Sequence, residues 1–257
     1  MIEPTQLSVD LNCDLGEYEN LRDDLKDAAI MPFISSCNIA CGGHAGNRTV
    51  IAHTVQLAMQ YGVNMGAHPG FPDRANFGRS VIDISREELK KSLNEQIQRV
   101  KQAIESVGSQ LQHVKPHGAL YNLAADDYGL ATLLVEMVRS IGPEIRFYGL
   151  ANSAMAMACE QLDVRFVAEA FTDRAYQADG RLLSRSEVGA VIEGTGHITR
   201  RAIALVREQC VVASTGERVE LQAETLCLHG DHPNSAGQAR ALHEALCEAG
   251  IEVKAPA

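Results

Sequence analysis

Apolar runs of four to six residues alternate with longer amphipathic segments along most of the chain. The short runs predict β-strands, and the longer segments, whose apolar residues recur at helical spacing, predict α-helices. The predicted strands cover approximately residues 7–12, 31–34, 63–67, 111–114, 145–150, 164–168 and 225–228, with a further short strand at 251–253. The predicted helices cover approximately residues 23–29, 48–61, 86–107, 127–140, 153–161, 197–208 and 235–249. No element is assigned between residues 177 and 196.

The clearest helix follows Ser85. Ser85 and Glu88 have the spacing of a capping box, in which each side chain bonds the backbone amide of the other residue. Apolar residues then recur at steps of three or four, at Leu89, Leu93, Ile97, Val100, Ile104 and Val107. Such a stripe predicts a helix that buries one face, and Gly108 ends it.

The succession of strand and helix repeats about seven times, without a linker or a low-complexity stretch. Such alternation is typical of parallel strands joined by crossover helices. Six of the strands are followed by polar residues. In a closed barrel the carboxyl ends of all strands meet at one mouth, whereas in an open sheet only a few strand ends lie near one ligand. We therefore predict one (β/α) barrel domain over residues 1–257, with a small hairpin inserted near 211–221.

The candidate site consists of the polar residues that follow these strands. They are Asp14, His44, His68, Lys115, His117, Glu169, His229 and Asp231. His44 comes after a Gly-Gly pair, which lets the backbone turn sharply and approach a ligand. His53, His197 and His243 fall on helices, where surface or packing roles are the rule, and His113 is interpreted as a structural strand residue.

Asp14, His44 and His68 follow three successive strands. One aspartate and two histidines form a competent set of ligands for a divalent metal, and an open position on the ion would activate water or polarise a carbonyl. The same three residues also suit a cleft that contains no metal, in which they only form hydrogen bonds. The spacing alone leaves both interpretations open.

Two further groups combine positive charge with groups that transfer protons. Lys115 and His117 flank a proline, which holds the backbone stiffly; lysine suits an anion and histidine suits proton transfer near neutral pH. Glu169 could act as a general base with Asp173, while Arg174 could bind a carboxylate in bidentate fashion. Ion pairing, packing and plain surface exposure are the competing interpretations.

Composition excludes several classes of function. The 257 residues carry 33 acidic and 23 basic side chains, a net charge of −10, with no basic run. This balance argues against a nucleic-acid or anionic-membrane partner. No signal-like start and no apolar run of membrane length are found, so a cytoplasmic location is expected. Seven cysteines without a CxxC pair argue against a disulfide framework, and Cys37 and Cys41 are interpreted as small buried residues.

Familiar nucleotide and nucleophile motifs are missing from the sequence. It contains no GxxxxGK[ST] loop, no GxGxxG after a strand and no GxSxG elbow. A nucleotide, if used, is therefore not held by either familiar phosphate loop, and serine hydrolase chemistry is disfavoured.

Several motifs, in order and spread over nearly the whole chain, resemble the LamB/YcsF family. They are DLNCDLGE at 10–17, SCNIACGGHAG at 36–46, GAHPGFPD at 66–73, FGR at 77–79, VKPHGALYN at 114–122, DRAY at 173–176 and HGD at 229–231. Among them lie further residues expected to bind substrate: Asn12, Asn38, Gly43 and Arg79. Three residues depart from the usual family pattern, namely Asn47, Ser80 and His232. These departures concern anion binding and the last loop, and they leave the expected fold unchanged.

The resemblance implies a distorted, seven-stranded, TIM-like (β/α) barrel related to the glycoside hydrolase/deacetylase fold. It also implies cleavage of 5-oxo-L-proline to L-glutamate, with ATP as co-substrate, in a complex with two other subunits. A divalent metal and a homo-oligomer are left open. Two other hypotheses remain, namely a metal-dependent amide or acetyl hydrolase that needs no ATP, and a non-catalytic subunit that binds a small acid.

Overall fold

The computed structural model describes residues 6–21, 24–185, 187–228 and 234–257. Its strands are β1 (Ser8–Leu15), β2 (Ser36–Ala40), β3 (Asn64–His68), β4 (His113–Val114), β5 (Arg146–Leu150), β6 (Phe166–Phe171), β7 (Cys210–Val212), β8 (Arg218–Glu220), β9 (Thr225–Leu228) and β10 (Glu252–Val253). Its helices are α1 (Leu25–Ile30), α2 (Arg48–Tyr61), α3 (Arg86–Ser106), α4 (Gly118–Asp126), α5 (Tyr128–Ile141), α6 (Ala154–Leu162), α7 (Thr195–Glu208) and α8 (Ser235–Glu248).

Seven parallel strands close into a barrel. Strands β1 to β6 pair in sequence order, and β9 pairs with both β6 and β1, which closes the ring. The closed (β/α) barrel predicted from the alternating pattern is therefore confirmed. β10 pairs with β1 beside the ring, and β7 and β8 form a separate antiparallel hairpin.

Helix α3 shows how the local sequence sets an element. Ser85 Oγ accepts a hydrogen bond from Glu88 N, and Glu88 Oε2 accepts one from Ser85 N, so the capping box is present. Leu93, Ile97 and Val100 on the predicted stripe are fully buried against the barrel. Asn47 likewise caps α2, since its Oδ1 accepts from the amides that follow it.

Two predictions of local structure are wrong. Residues 31–34 are not a strand: Met31–Phe33 form a 3₁₀ turn with Pro32 inside it, and β2 starts only at Ser36. This strand is built from small and polar residues because one of its faces lines a polar barrel interior. Helix α4 lies outside every predicted helix, and it begins at Gly118, directly after the Lys115–Pro116–His117 segment.

Polar side chains fill much of the barrel interior. On β1, Asp10 and Asn12 point inward, whereas Leu11 between them belongs to the hydrophobic core. Asp10 accepts hydrogen bonds from the hydroxyl groups of Ser35, Ser36 and Thr225. Because each of these buried groups has a partner on another strand, the hydrogen bonds offset the cost of removing the groups from water.

Asp27 is a buried carboxyl group next to the loop that follows β1. Its Oδ2 accepts a hydrogen bond of 2.7 Å from Gly16 N. Burial raises the pKa of Asp27 to about 7, because the carboxylate is poorly solvated there. The folded protein therefore holds this proton up to neutral pH, whereas the unfolded chain releases it near pH ~4.

We expect Asp27→Asn to stabilise the protein by an amount that depends on pH. Between the two pKa values only the folded state is protonated, so the wild-type free energy of unfolding falls as pH rises and levels off above pH 7. Asparagine keeps an acceptor for Gly16 N but does not titrate. The difference in free energy of unfolding in favour of the variant should therefore grow through this pH window to at most about 4 kcal/mol. Urea unfolding of both proteins across the window tests this, and a pH-independent difference would contradict it.

None of the helices in the described ranges is long and apolar enough to cross a lipid bilayer.

Candidate active site

A cavity of about 520 Å³ opens at the carboxyl ends of the barrel strands. Its floor contains Asp14, His68, Lys115 and His117, which follow or end three different strands. The segment between β6 and α7, for which the sequence predicts no element, contributes Gln177, Glu187 and residues 181–185 to one wall. A cavity of this size suits a small metabolite, and its polar floor is where chemistry can take place.

Lys115 occupies the centre of a buried charge cluster. Its Nζ lies 2.8 Å from Glu169 Oε1 and 3.1 Å from Asp14 Oδ1. Burial alone would lower the pKa of Lys115, but the charges of Asp14 and Glu169 raise it well above its usual value. Lys115 is therefore a fixed cation at the cavity floor.

Neutral hydrogen-bond donors hold the two carboxylates in place. Tyr121 OH donates to Glu169 Oε2 at 2.7 Å, and Asn12 Nδ2 donates to Glu169 Oε1 at 2.9 Å. Asn38 Nδ2 donates to Asp14 Oδ1 at 2.8 Å. The cluster is consequently rigid, and both carboxylates are oriented before any ligand arrives.

Three histidines pack together beside this cluster. The rings of His44 and His117 are stacked, with centroids 3.6 Å apart and planes 6° apart, and His68 meets both rings edge-on. The pKa of His117 is lowered to about 3, mainly by burial and secondly by the neighbouring histidines. Burial is also the main reason why the pKa of His44 is lowered to about 2. Both rings are therefore neutral at physiological pH.

The hydrogen bonds of two rings fix their tautomers. His117 Nε2 lies 2.9 Å from Phe77 O, and His68 Nδ1 lies 2.8 Å from Lys115 O. Because a carbonyl oxygen only accepts, each of these nitrogens carries a proton. The other two ring nitrogens, His117 Nδ1 and His68 Nε2, face each other at 3.0 Å.

Glu17 completes this group. Its Oε1 lies 3.0 Å from His44 Nε2 and 3.4 Å from His117 Nδ1. Glu17, His68 and His117 each offer a ligand atom, and the three atoms lie within 4.8 Å of one another. The residues that could hold a metal thus differ from the predicted set of Asp14, His44 and His68, because His44 is directed at Glu17.

Four arginines give the cavity wall a positive charge. They are Arg79, Arg174, Arg181 and Arg185. Arg174 is only 5% exposed, and its Nε has no hydrogen-bond partner among the described residues. Burial, then the charge of Arg185, lowers the pKa of Arg174. A buried guanidinium with an unused donor is suited to bind an anion.

Part of the predicted site reaches the cavity surface, namely Asp14, His68, Arg79, Lys115, His117 and Arg174. Asn12, Asn38 and Glu169 lie beneath the floor and act through hydrogen bonds. A Cβ on Gly43 would lie 2.3 Å from Gln96 Oε1, so this glycine makes room for Gln96 and not for a ligand.

His44 and Asp173 are not among the cavity-lining residues, and His229 and Asp231 lie outside the described residues, as does His232. Glu17, Tyr121 and the arginines Arg181 and Arg185 of the cavity wall were not selected from the sequence. Glu17 had a usable signal, since it follows Asp14 by three residues and comes just after the end of β1.

Comparison with known proteins decides the family. The sequence model of the LamB/YcsF family matches residues 9–257. The chain belongs to the LamB/YcsF family. The LamB/YcsF resemblance drawn from the motifs is therefore confirmed.

Two relatives are similar to this chain over almost its whole length. A curated protein of Chloroflexus aggregans, named as the A subunit of 5-oxoprolinase, is 44% identical over 250 residues, covering 97% of this chain and 99% of that protein. The crystal structure of a lactam utilization protein from Thermus thermophilus superimposes with a TM-score of 0.92 at 39% identity, covering 97% of this chain and 100% of that one.

The LamB/YcsF barrel also resembles a more distant enzyme. The T48 deacetylase superimposes with a TM-score of 0.51 at 14% identity, over 97% of this chain and 88% of that one. This likeness concerns the fold alone, and it agrees with the predicted relation to deacetylase barrels.

Proposed function

We propose that this chain is the A subunit of an ATP-dependent 5-oxoprolinase, which opens the ring of 5-oxo-L-proline to give L-glutamate. The names of its full-length relatives support this activity. The observation that carries the proposal is the buried Lys115–Asp14–Glu169 cluster, which opens into a cavity whose wall is rich in arginine. A small cyclic amide with a carboxylate matches such a site in size and in charge.

The proposed chemistry must activate a stable lactam. Transfer of the γ-phosphoryl group of ATP to the lactam oxygen makes that oxygen a leaving group. A first water adds to the ring carbon, the carbon–nitrogen bond breaks and the nitrogen takes up a proton, which leaves an acyl phosphate. A second water then hydrolyses this acyl phosphate and releases inorganic phosphate. The products are L-glutamate, ADP and inorganic phosphate.

We assign roles from the position of each group. Lys115 stabilises negative charge that develops on the oxygen of the reacting carbon. Asp14, which is held by Asn38 and Lys115 at the cavity floor, accepts a proton from the attacking water. Glu169 is fully buried, so it fixes the position of Lys115. Arg174 and Arg79 bind the carboxylate or the phosphoryl group of the substrate.

We propose that the other subunits bind most of the ATP, because this sequence contains neither of the familiar phosphate loops. The complex would then contain two further subunits, and it would work in the cytoplasm, where ATP is available.

The test is to measure ADP and glutamate with and without 5-oxo-L-proline, for this chain alone and mixed with its two partner subunits. We expect oxoproline-dependent ADP and glutamate only in the mixture. Glutamate from the chain alone without ATP would favour a simple amide hydrolase. No turnover in a mixture whose partners are active, together with retained oxoproline binding, would favour a non-catalytic subunit.

Substituting Arg174 tests the anion site. We expect Arg174→Lys to raise KM by about 10-fold or more with a smaller change in kcat, because lysine lacks the planar fork and a charge-assisted hydrogen bond is lost. Arg181→Lys is the matched control, since Arg181 lines the same cavity but its guanidinium is already paired with Asp126 and Asp179. Equal changes in the two variants would argue against a specific role for Arg174.

A further inference from the structure

Four potential ligand atoms lie beside the charge cluster. His68 Nε2 and His117 Nδ1 are 3.0 Å apart. Asp14 Oδ1 lies 3.4 Å from His68 Nε2, and Glu17 Oε1 lies 3.4 Å from His117 Nδ1.

Glu17, His68 and His117 each offer one ligand atom, and these three atoms lie within 4.8 Å of one another. Asp14 Oδ1 lies at the edge of the group, where it accepts hydrogen bonds from Lys115 Nζ and Asn38 Nδ2.

The spacing suits a metal. Tetrahedral ligands at roughly 2.0–2.1 Å from zinc lie about 3.3 Å from one another. His117 Nδ1 lies 3.0 Å from His68 Nε2 and 3.4 Å from Glu17 Oε1, which is close to that value. We propose that Glu17, His68 and His117 bind one divalent transition-metal ion of the zinc, cobalt or manganese class. Two imidazoles and carboxylates are ligands that these ions share.

The surroundings are those of a metal site. Each ligand histidine donates its other ring proton to a backbone carbonyl, which fixes the tautomer and the direction of the lone pair. His44 Nε2 bonds Glu17 Oε1 and holds that carboxylate towards the histidines. His44 is thus a positioning residue for Glu17. The ion would lower the pKa of a bound water at the floor of the cavity.

The test measures binding, so it stands apart from the oxoproline assay. The full chain, labelled with ¹⁵N-histidine, is stripped with a chelator and titrated with Zn²⁺. We expect one equivalent to bind and to shift the signals of His68 Nε2 and His117 Nδ1 only, while the other nitrogen of each ring keeps its proton. Co²⁺ should give visible d–d bands. A His68 ring that is protonated on both nitrogens and does not respond to Zn²⁺ would overturn the proposal.

Variants locate the ion. Glu17→Gln and His117→Gln should each weaken Zn²⁺ binding on the order of 100-fold. Glu19→Gln and His197→Gln are matched controls on exposed residues and should leave it unchanged. Circular dichroism confirms that each variant is folded before titration. Binding that is equal in the ligand variants and the controls would place the ion elsewhere and refute the site.

Discussion

Lys115→Met is expected to lower oxoproline-dependent kcat by on the order of 10³-fold, because it removes the fixed cation from the cavity floor. It should also destabilise the protein by about 3–5 kcal/mol, since Asp14 and Glu169 remain buried without their common partner. The kinetic assay with the partner subunits measures the first effect, and urea unfolding of the isolated chain measures the second.

A second substitution separates these two effects. Lys115→Met combined with Glu169→Gln restores the original net charge of the cluster, and glutamine still accepts a hydrogen bond from Tyr121 OH. We expect the double variant to recover a large part of the lost stability but none of the activity. Recovery of both would mean that Lys115 is needed only to fold the barrel.

Gly78→Ala is expected to have the second largest effect, although Gly78 carries no functional group. Its φ is +63°, and a Cβ would lie 2.8 Å from His44 Cβ and 3.0 Å from His117 Cδ2. The methyl group therefore displaces the stacked histidines. We expect a stability loss of about 2–4 kcal/mol, from backbone strain and overpacking together. Turnover should fall on the order of 100-fold as the floor of the site shifts.

Gly62→Ala is the matched control for Gly78→Ala. Gly62 ends α2 with a φ of +67°, and no atom lies within 4 Å of the position of its Cβ. The control therefore imposes the same backbone strain without the clash, and it should cost about 1–2 kcal/mol with normal turnover. If the two variants behave alike, the contact with the histidines has no consequence.

Local patterns predicted most of the architecture. The capping box at Ser85 and the apolar stripe after it define α3, because helix ends and faces depend on residues three or four apart. The alternation of strands and helices predicted parallel strands, and the polar residues after them predicted a common mouth. Asp14, His68, Lys115 and His117 meet there because parallel strands of a ring present the same ends to one side.

The inward face of the barrel could not be predicted in this way. Asp10, Asn12 and Asp14 alternate with apolar residues along β1, a pattern that usually places the polar face in water. Here the same face is buried, since ring closure surrounds it with Ser36, Asn38 and other polar partners. The position of β2 was predicted wrongly for the same reason. Its polar residues form hydrogen bonds with groups on strands that are far away in the sequence.

The sequence by itself determined the barrel and the strand ends that carry the chemistry, because these depend on short-range periodicity and chain direction. Its motifs indicated the family. Only the tertiary structure shows that a carboxylate oxygen of Glu17 lies near ring nitrogens of both His68 and His117. It also shows that Gln177, Glu187 and residues 181–185 line the cavity. Loop paths and ring rotations depend on contacts between distant residues, such as His68 with His117 and Lys115 with Glu169. No local pattern encodes those contacts.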